Sequence, residues 1–215
     1  PQIGWFDLST LKEPYRLEGK KTMGLELAEQ LDWRMPDVLL YPTGGGTGLV
    51  GIPKGYEELV AMGWLAGRRP RFYAVQADGC APVVKAFAEG AETTTAWEHP
   101  TTHAAGLRVP SPFAGRQMLR ILRDTGGGAV AVGEEAIREA QRLIARLEGI
   151  WTAPESAALV AALQDLVGRR AIARDAEIAL IFTGAGIKYD PPPLPPPVDL
   201  SGSDDDIVRQ VRRHL

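Results

Sequence analysis

A chain of 215 residues, 45% hydrophobic and 24% charged, is long enough to bury one substantial core and has the make-up of a globular protein. Its net charge of -3 and pI near 5.7 argue against nucleic-acid binding, because no basic excess exists to neutralise phosphates. One cysteine, Cys80, excludes an internal disulfide and fits a reducing cytoplasm, no apolar run approaches the roughly 18 residues of a membrane span, and no signal-peptide pattern opens the chain.

Residues Pro1 to Tyr15 read as an irregular entry segment. From Glu18 to Leu31 the spacing of Leu25, Ala28 and Leu31 predicts a helix. Asp37 to Pro42 (DVLLYP) is a short apolar run between turn residues and reads as a buried strand. Thr43 to Gly48 (TGGGTG) is a glycine-rich loop. Leu49 to Leu65 reads as a helix whose first turns are put in question by Pro53 and Gly55. Arg71 to Ala77 is a strand, Ala81 to Glu89 a helix, and Thr93 to Pro112 a long loop of the kind that often carries function. A helix at Ala114 to Asp124 and a strand at Ala129 to Val132 follow. Glu134 to Leu147 is an amphipathic helix with Ile137, Ala140, Ile144 and Leu147 on one face. Pro154 to Val167 is another, with proline at its first turn. Glu177 to Phe182 (EIALIF) is a final buried strand.

Strands alternate with helices, which predicts an α/β fold: a mostly parallel sheet with helices on both faces. Pro191 to Pro197 holds six prolines in seven residues and is followed by SGSDDD, so residues 191–215 read as a linker and short tail that build no core. Asp204 to Asp206 repel one another, and Ile207 to Leu215 has the composition for a short docking helix.

The strongest chemical signal is DVLLYPTGGGTG ahead of a helix. Glycines let a backbone approach an anion, consecutive N–H groups can form a nest, and the helix adds its positive end. The loop is not GxxxxGK[ST], and it lacks the GxGxxG form with a later acidic residue, so neither a Walker loop nor a dinucleotide fingerprint fits. A plain tight turn is the competing reading. Cys80 sits near a predicted helix start, where a thiol pKa can fall, but no histidine is placed to act with it, and a packed cysteine is the simpler account. His99 and His103 are four apart in a Pro/Thr-rich segment with no further ligands nearby, so no metal site is assigned.

Several segments together, in order, resemble one family. YPTGGGTGLVG resembles the cofactor-phosphate loop of fold type II pyridoxal-phosphate (PLP) enzymes. GWFDLSTLKEPYRLEGKKTMGLELAEQL, VQADGCAPVVKAF, GLRVP, WTAPESAALVAAL and IFTGAGIKY are similar to consecutive stretches of the threonine synthase family, over Gly4 to Asp190. The resemblance implies a large-domain portion of the tryptophan synthase β type at residues 1–190, a PLP cofactor, and a lyase of threonine biosynthesis. The reaction it implies converts O-phosphohomoserine and water to threonine and phosphate. It also implies a cytoplasmic enzyme with a small-molecule substrate, compatible with a homodimer, and neither nucleic acid nor membrane as partner. Gly44, Gly45, Gly46, Thr47 and Gly48 would hold the PLP phosphate, and Thr183 would bond the pyridine nitrogen. A hydroxyl there cannot hold a proton on the nitrogen as a carboxylate would, which favours elimination and replacement. On residues alone, a turn hydroxyl remains the alternative for Thr183. Glu18, Lys20, Lys21 and Thr22 (EGKKT) are left without a role: a basic residue there either faces a phosphorylated substrate or belongs to an exposed helix start.

One part of the family pattern has no counterpart. The Schiff-base lysine of such enzymes lies in an S-F-K-D-R-like segment of the N-terminal half. Lys12, Lys20, Lys21, Lys54, Lys85 and Lys188 occupy no such context, and asparagine is missing from all 215 residues. No catalytic residue is therefore assigned. The expectation is a C-terminal fragment, inactive by itself, whose missing N-terminal half is a required partner. Two other readings stand beside it: another fold type II lyase of the threonine dehydratase kind, and a non-catalytic remnant that keeps a phosphate nest.

Overall fold

The computed structural model describes residues 4–9, 11–190 and 197–212. Its centre is a sheet of four parallel strands: β1 (Val38–Pro42), β2 (Arg71–Ala77), β3 (Gly128–Val132) and β4 (Ile178–Leu180), in the order β3-β2-β1-β4. The strands are apolar on both faces, as a sheet covered on both sides requires. On one face Leu39, Tyr41, Phe72 and Ala74 pack under α2 (Thr47–Ala61), α3 (Pro82–Ala88) and α4 (Gly115–Asp124). On the other, Val38, Leu40, Tyr73 and Val75 pack under α5 (Glu134–Glu148) and α6 (Pro154–Gly168). The expected α/β architecture is observed.

The chain starts at β1, steps outward through β2 and β3, then returns across the other face to place β4 on the free side of β1. The connections leaving β1 and arriving at β4 therefore run on opposite faces. A crevice opens between the C-terminal ends of these two strands, the place where open α/β sheets bind ligands.

Some boundaries differ from expectation, each for a physical reason. The helix after the glycine loop begins at Thr47, and Pro53 sits inside it without breaking it. Its second turn is clamped by burial of Leu49, Ile52, Pro53 and Tyr56, which offsets the missing proline donor. Leu147 points outward at 65% exposure although it continues the spacing of Ile137, Ala140 and Ile144, because it lies in the last turn before Gly149 ends the helix in the left-handed region. The last strand is shorter than expected and only half-buried, since it is an edge with one described neighbour. The acidic run opens a helix: α7 (Asp204–Arg212) begins with Asp204, Asp205 and Asp206, where the positive end of the helix offsets their repulsion, and the Asp206 N–H bonds Ser203 Oγ at 3.3 Å. Residues 191–196 and 213–215, which carry most of the proline run and the chain end, lie outside the described residues.

α1 (Tyr15–Gln30) lies across α2. The backbones touch where small residues permit it: a Cβ on Gly24 would meet the Ile52 carbonyl oxygen at 2.6 Å, and one on Gly51 would meet the Lys20 carbonyl carbon at 2.9 Å. Across this contact Lys21 pairs with Glu18 at 2.7 Å and Glu58 at 2.8 Å, while Lys54 reaches the same two carboxylates. No helix among the described residues is long and apolar enough to cross a membrane.

None of the residues of α7 is buried. Truncation after Asp190 is therefore expected to shift the unfolding midpoint by no more than about 2 °C, the effect of a few tenths of a kcal/mol. Thermal unfolding followed by circular dichroism checks this, and a drop of about 8 °C would contradict it.

Candidate cofactor site

The glycine loop leaves β1 at Thr43, whose position is fixed three times. Its N–H bonds the Val75 carbonyl at 2.8 Å, its hydroxyl donates to the Tyr41 carbonyl at 2.9 Å, and its carbonyl accepts from Gln76 Nε2 at 3.2 Å. Gln76 is fully buried, and its other end accepts the Val83 and Val84 N–H groups at the start of α3. Gly46 then turns the chain into α2 with φ +90°, a conformation that L side chains rarely adopt. A Cβ there would also run into the sulfur of Met118.

Among the described hydrogen bonds, none is donated by the backbone N–H groups of Gly44 through Leu49. The first turn of α2 contains no acidic side chain, so its positive end is uncompensated from within. Gly45 and Thr47 are partly exposed while Gly44, Gly46 and Gly48 are buried, so the loop presents an open rim over a packed base.

The turn after β4 faces this loop. Thr183 donates its N–H to Ser156 Oγ at 3.1 Å. The Gly184 carbonyl accepts from the Thr152 hydroxyl at 3.2 Å and from the Ala153 N–H at 3.0 Å. Thr152 is held in turn by Gln141 Nε2 at 2.6 Å. Thr183 is exposed at the cavity wall and its hydroxyl has no described hydrogen bond, which either reading of Thr183 allows.

All five loop residues and Thr183 line one cavity of ≈ 360 Å³ at the crevice between β1 and β4. Lys20 lines it too, delivered by the close packing of α1 on Gly51, as do Lys188 and Tyr189 from the closing turn. Further wall comes from Gly106 and Leu107 of a 3-10 turn (Ala105–Leu107) in the long loop and from Glu155 of α6. The structure thus brings the sequence-selected residues together and adds Glu155, Tyr189 and Gly106. It separates Lys21 from Lys20: Lys21 is spent in ion pairs with Glu18 and Glu58. A larger cavity of ≈ 650 Å³ between α2 and α4 lies away from these strand ends, and its charges pair locally, Lys54 with Glu58 and Arg69 with Glu57.

The other candidates resolve simply. Cys80 is buried, desolvation pushes its thiol pKa up, and the helix beyond it starts only at Pro82, so the packed reading stands. His103 pairs with Glu134 rather than with His99, and among the described residues no cluster of three metal-type ligands occurs. Burial pushes the Glu134 carboxyl up, but hydrogen bonds from Thr102 and His103 outweigh it and leave the pKa lowered.

The sequence profile of the family described as pyridoxal-phosphate dependent enzyme matches residues 2–184. The chain belongs to the pyridoxal-phosphate dependent enzymes. It is similar to the threonine synthase of Methanosarcina acetivorans, 42% identical over 175 residues that make up 81% of this chain and 43% of that protein. The threonine synthase of Methanocaldococcus jannaschii is 39% identical over the same shares. The chain thus spans less than half the length of these two relatives. Among solved structures, a threonine deaminase of T.th. superposes with a TM-score of 0.64 at 26% identity, covering 84% of this chain and 60% of that one. Maize serine racemase, at 22% identity and a TM-score of 0.62, shares the fold over 94% of this chain and 54% of its own.

The family's cofactor is PLP, and the residues present fit it. The loop offers free N–H groups at a helix N-terminus, which suits a phosphate. The Thr183 hydroxyl stands without a described partner across the same cavity, which suits a ring nitrogen.

Proposed function

We propose that this chain supplies the phosphate-binding and ring-binding side of a PLP site in a threonine synthase-type lyase. The observation that carries the reading is the convergence of the glycine loop and Thr183 at the crevice between β1 and β4. The N–H groups of Gly44 to Gly48 hold the phosphate, and α2 adds its positive end. The Thr183 hydroxyl donates to the ring nitrogen without protonating it. Lys20 and Lys188, both on the cavity wall, add positive charge for an anionic substrate group. When bound, PLP supplies the electron sink for carbanion chemistry on an amino acid. The overall reaction is O-phosphohomoserine and water to threonine and phosphate. The lysine that carries the cofactor is assigned to residues outside this chain.

Identity of 42% to a threonine synthase favours this reading over a dehydratase, whose support is structural likeness at 26% identity. The test has two arms. Gly45→Val, which puts a branched side chain on the open rim of the loop, is expected to weaken PLP binding at least about tenfold, the cost of losing one charge-assisted contact. Fluorescence titration of the chain with PLP measures this, and unchanged affinity sinks the phosphate assignment. In the complete enzyme, turnover of O-phosphohomoserine with no turnover of threonine or serine supports the synthase, and the reverse supports a dehydratase.

A further inference from the structure

Among the described acidic residues only Glu13 and Glu155 are buried. Glu13 caps α1, accepting the N–H groups of Tyr15 and Arg16. Glu155, 8% exposed in the first turn of α6, does something else: it reaches across the cavity wall. One of its oxygens accepts the Gly106 N–H at 2.6 Å and the Tyr189 hydroxyl. Burial, then the adjoining carboxylate, push the Tyr189 phenol up to about 12, so it stays a donor throughout the neutral range.

The grip on Gly106 continues into the glycine loop. A Cβ on Gly44 would run into the Gly106 carbonyl oxygen and come within 2.9 Å of a Val109 methyl. A Cβ on Gly106 would itself stand 2.8 Å from Glu155. The three residues therefore stack without slack: carboxylate, Gly106 peptide, Gly44. On the other side Tyr189 closes the turn that carries Thr183.

We propose that Glu155 is a positioning residue that sets the shape of the anion loop, gripping Gly106 behind Gly44 while tying down the turn that carries Thr183. This rests on the reading of the cavity as the cofactor site. The sign of the effect separates it from simple electrostatics. A carboxylate beside a phosphate site repels the anion, so removing the charge alone would tighten binding. Removing a positioning group loosens it.

The experiment uses the 215-residue chain. PLP and inorganic phosphate affinities are measured by titration, and hydrogen exchange of peptides covering residues 43–48 and 104–109 is measured without ligand. Glu155→Ala is expected to weaken PLP about tenfold, what one charge-assisted hydrogen bond carries, and to speed exchange in both segments. Glu155→Gln keeps an oxygen for the Gly106 N–H and an amide for the Tyr189 oxygen, so it is expected to stay within about threefold of the parent. Tighter PLP or phosphate binding by Glu155→Ala, or unchanged exchange at 43–48, overturns the proposal. If Glu155→Ala does not fold, Tyr189→Phe decides: faster exchange at 104–109 supports the tether, and no change overturns it. If the parent chain binds neither ligand while exchange still responds to Glu155→Ala, the cofactor reading fails and the positioning role of Glu155 stands.

Discussion

The 215-residue chain, given PLP and O-phosphohomoserine, is expected to form no threonine above background. On the proposed reading PLP would dock through its phosphate and ring nitrogen, but no lysine here stands in the context that the resembled family uses to carry the cofactor. Lys12 pairs with Asp7, and Lys21 and Lys54 are tied to Glu18 and Glu58. Only Lys20 and Lys188 line the cavity. Without the dedicated amine the chain lacks a positioned general base, worth about 10²–10⁴-fold, and loses covalent activation as well. A chain extended to the length of the threonine synthases it matches is expected to regain both. The check is a threonine assay with a borohydride trap and peptide mapping. Stoichiometric labelling of one lysine together with turnover would overturn the expectation, and Lys20 and Lys188 would be examined first. Lys54 lies near the glycine loop in sequence, but its ion pairs with Glu18 of α1 and Glu58 of α2 hold it away from the cavity.

The second large effect belongs to the core beneath the loop. Phe72 is fully buried on β2, the strand that pairs with both β1 and β3. It shares a cluster with Leu39, Tyr41, Leu49, Met118 and Leu122. Phe72→Ala is expected to cost about 3–5 kcal/mol, a large part of the roughly 5–15 kcal/mol that holds a domain together. Urea unfolding gives the number, and a loss under about 1 kcal/mol would mean that the cluster collapses onto the hole. Because Tyr41 and Leu49 flank the glycine loop, PLP affinity is expected to fall with it.

Most of the fold was legible in the sequence because buried parallel strands leave a plain mark. DVLLYP and RFYAVQA are apolar on both faces and bounded by turn residues, and the structure has strands there. The edge strand is shorter than predicted: EIALIF is as apolar as the others, and nothing in its composition says that it has one neighbour among the described residues. In the site, the glycine loop was visible as a motif, whereas Thr183 carried weight only through an ordered set of family-like segments. Gln76 and Glu155 left no local signal. An acidic residue in the first turn of a helix is what the helix dipole favours anyway, so its sequence cannot distinguish a cap from a clamp. Their roles arise from contacts 33 and 49 positions away, with Thr43 and Gly106.

The return of the chain to the free side of β1 also fixes an order of assembly during synthesis. The bond from the Glu177 N–H to the Asp37 carboxylate, which begins the β1–β4 pairing, spans 140 positions. At about 5–20 residues per second, a ribosome takes roughly seven to thirty seconds to cover that distance. During that interval β1 to β3 and the glycine loop can already be in register, since their pairings close earlier in the chain. Thr183 cannot take its place until β4 has emerged and docked, a long-range parallel closure of the slow kind. A nascent chain paused before Ile178 therefore holds the glycine loop beside an open strand edge, the kind of edge that invites mispairing.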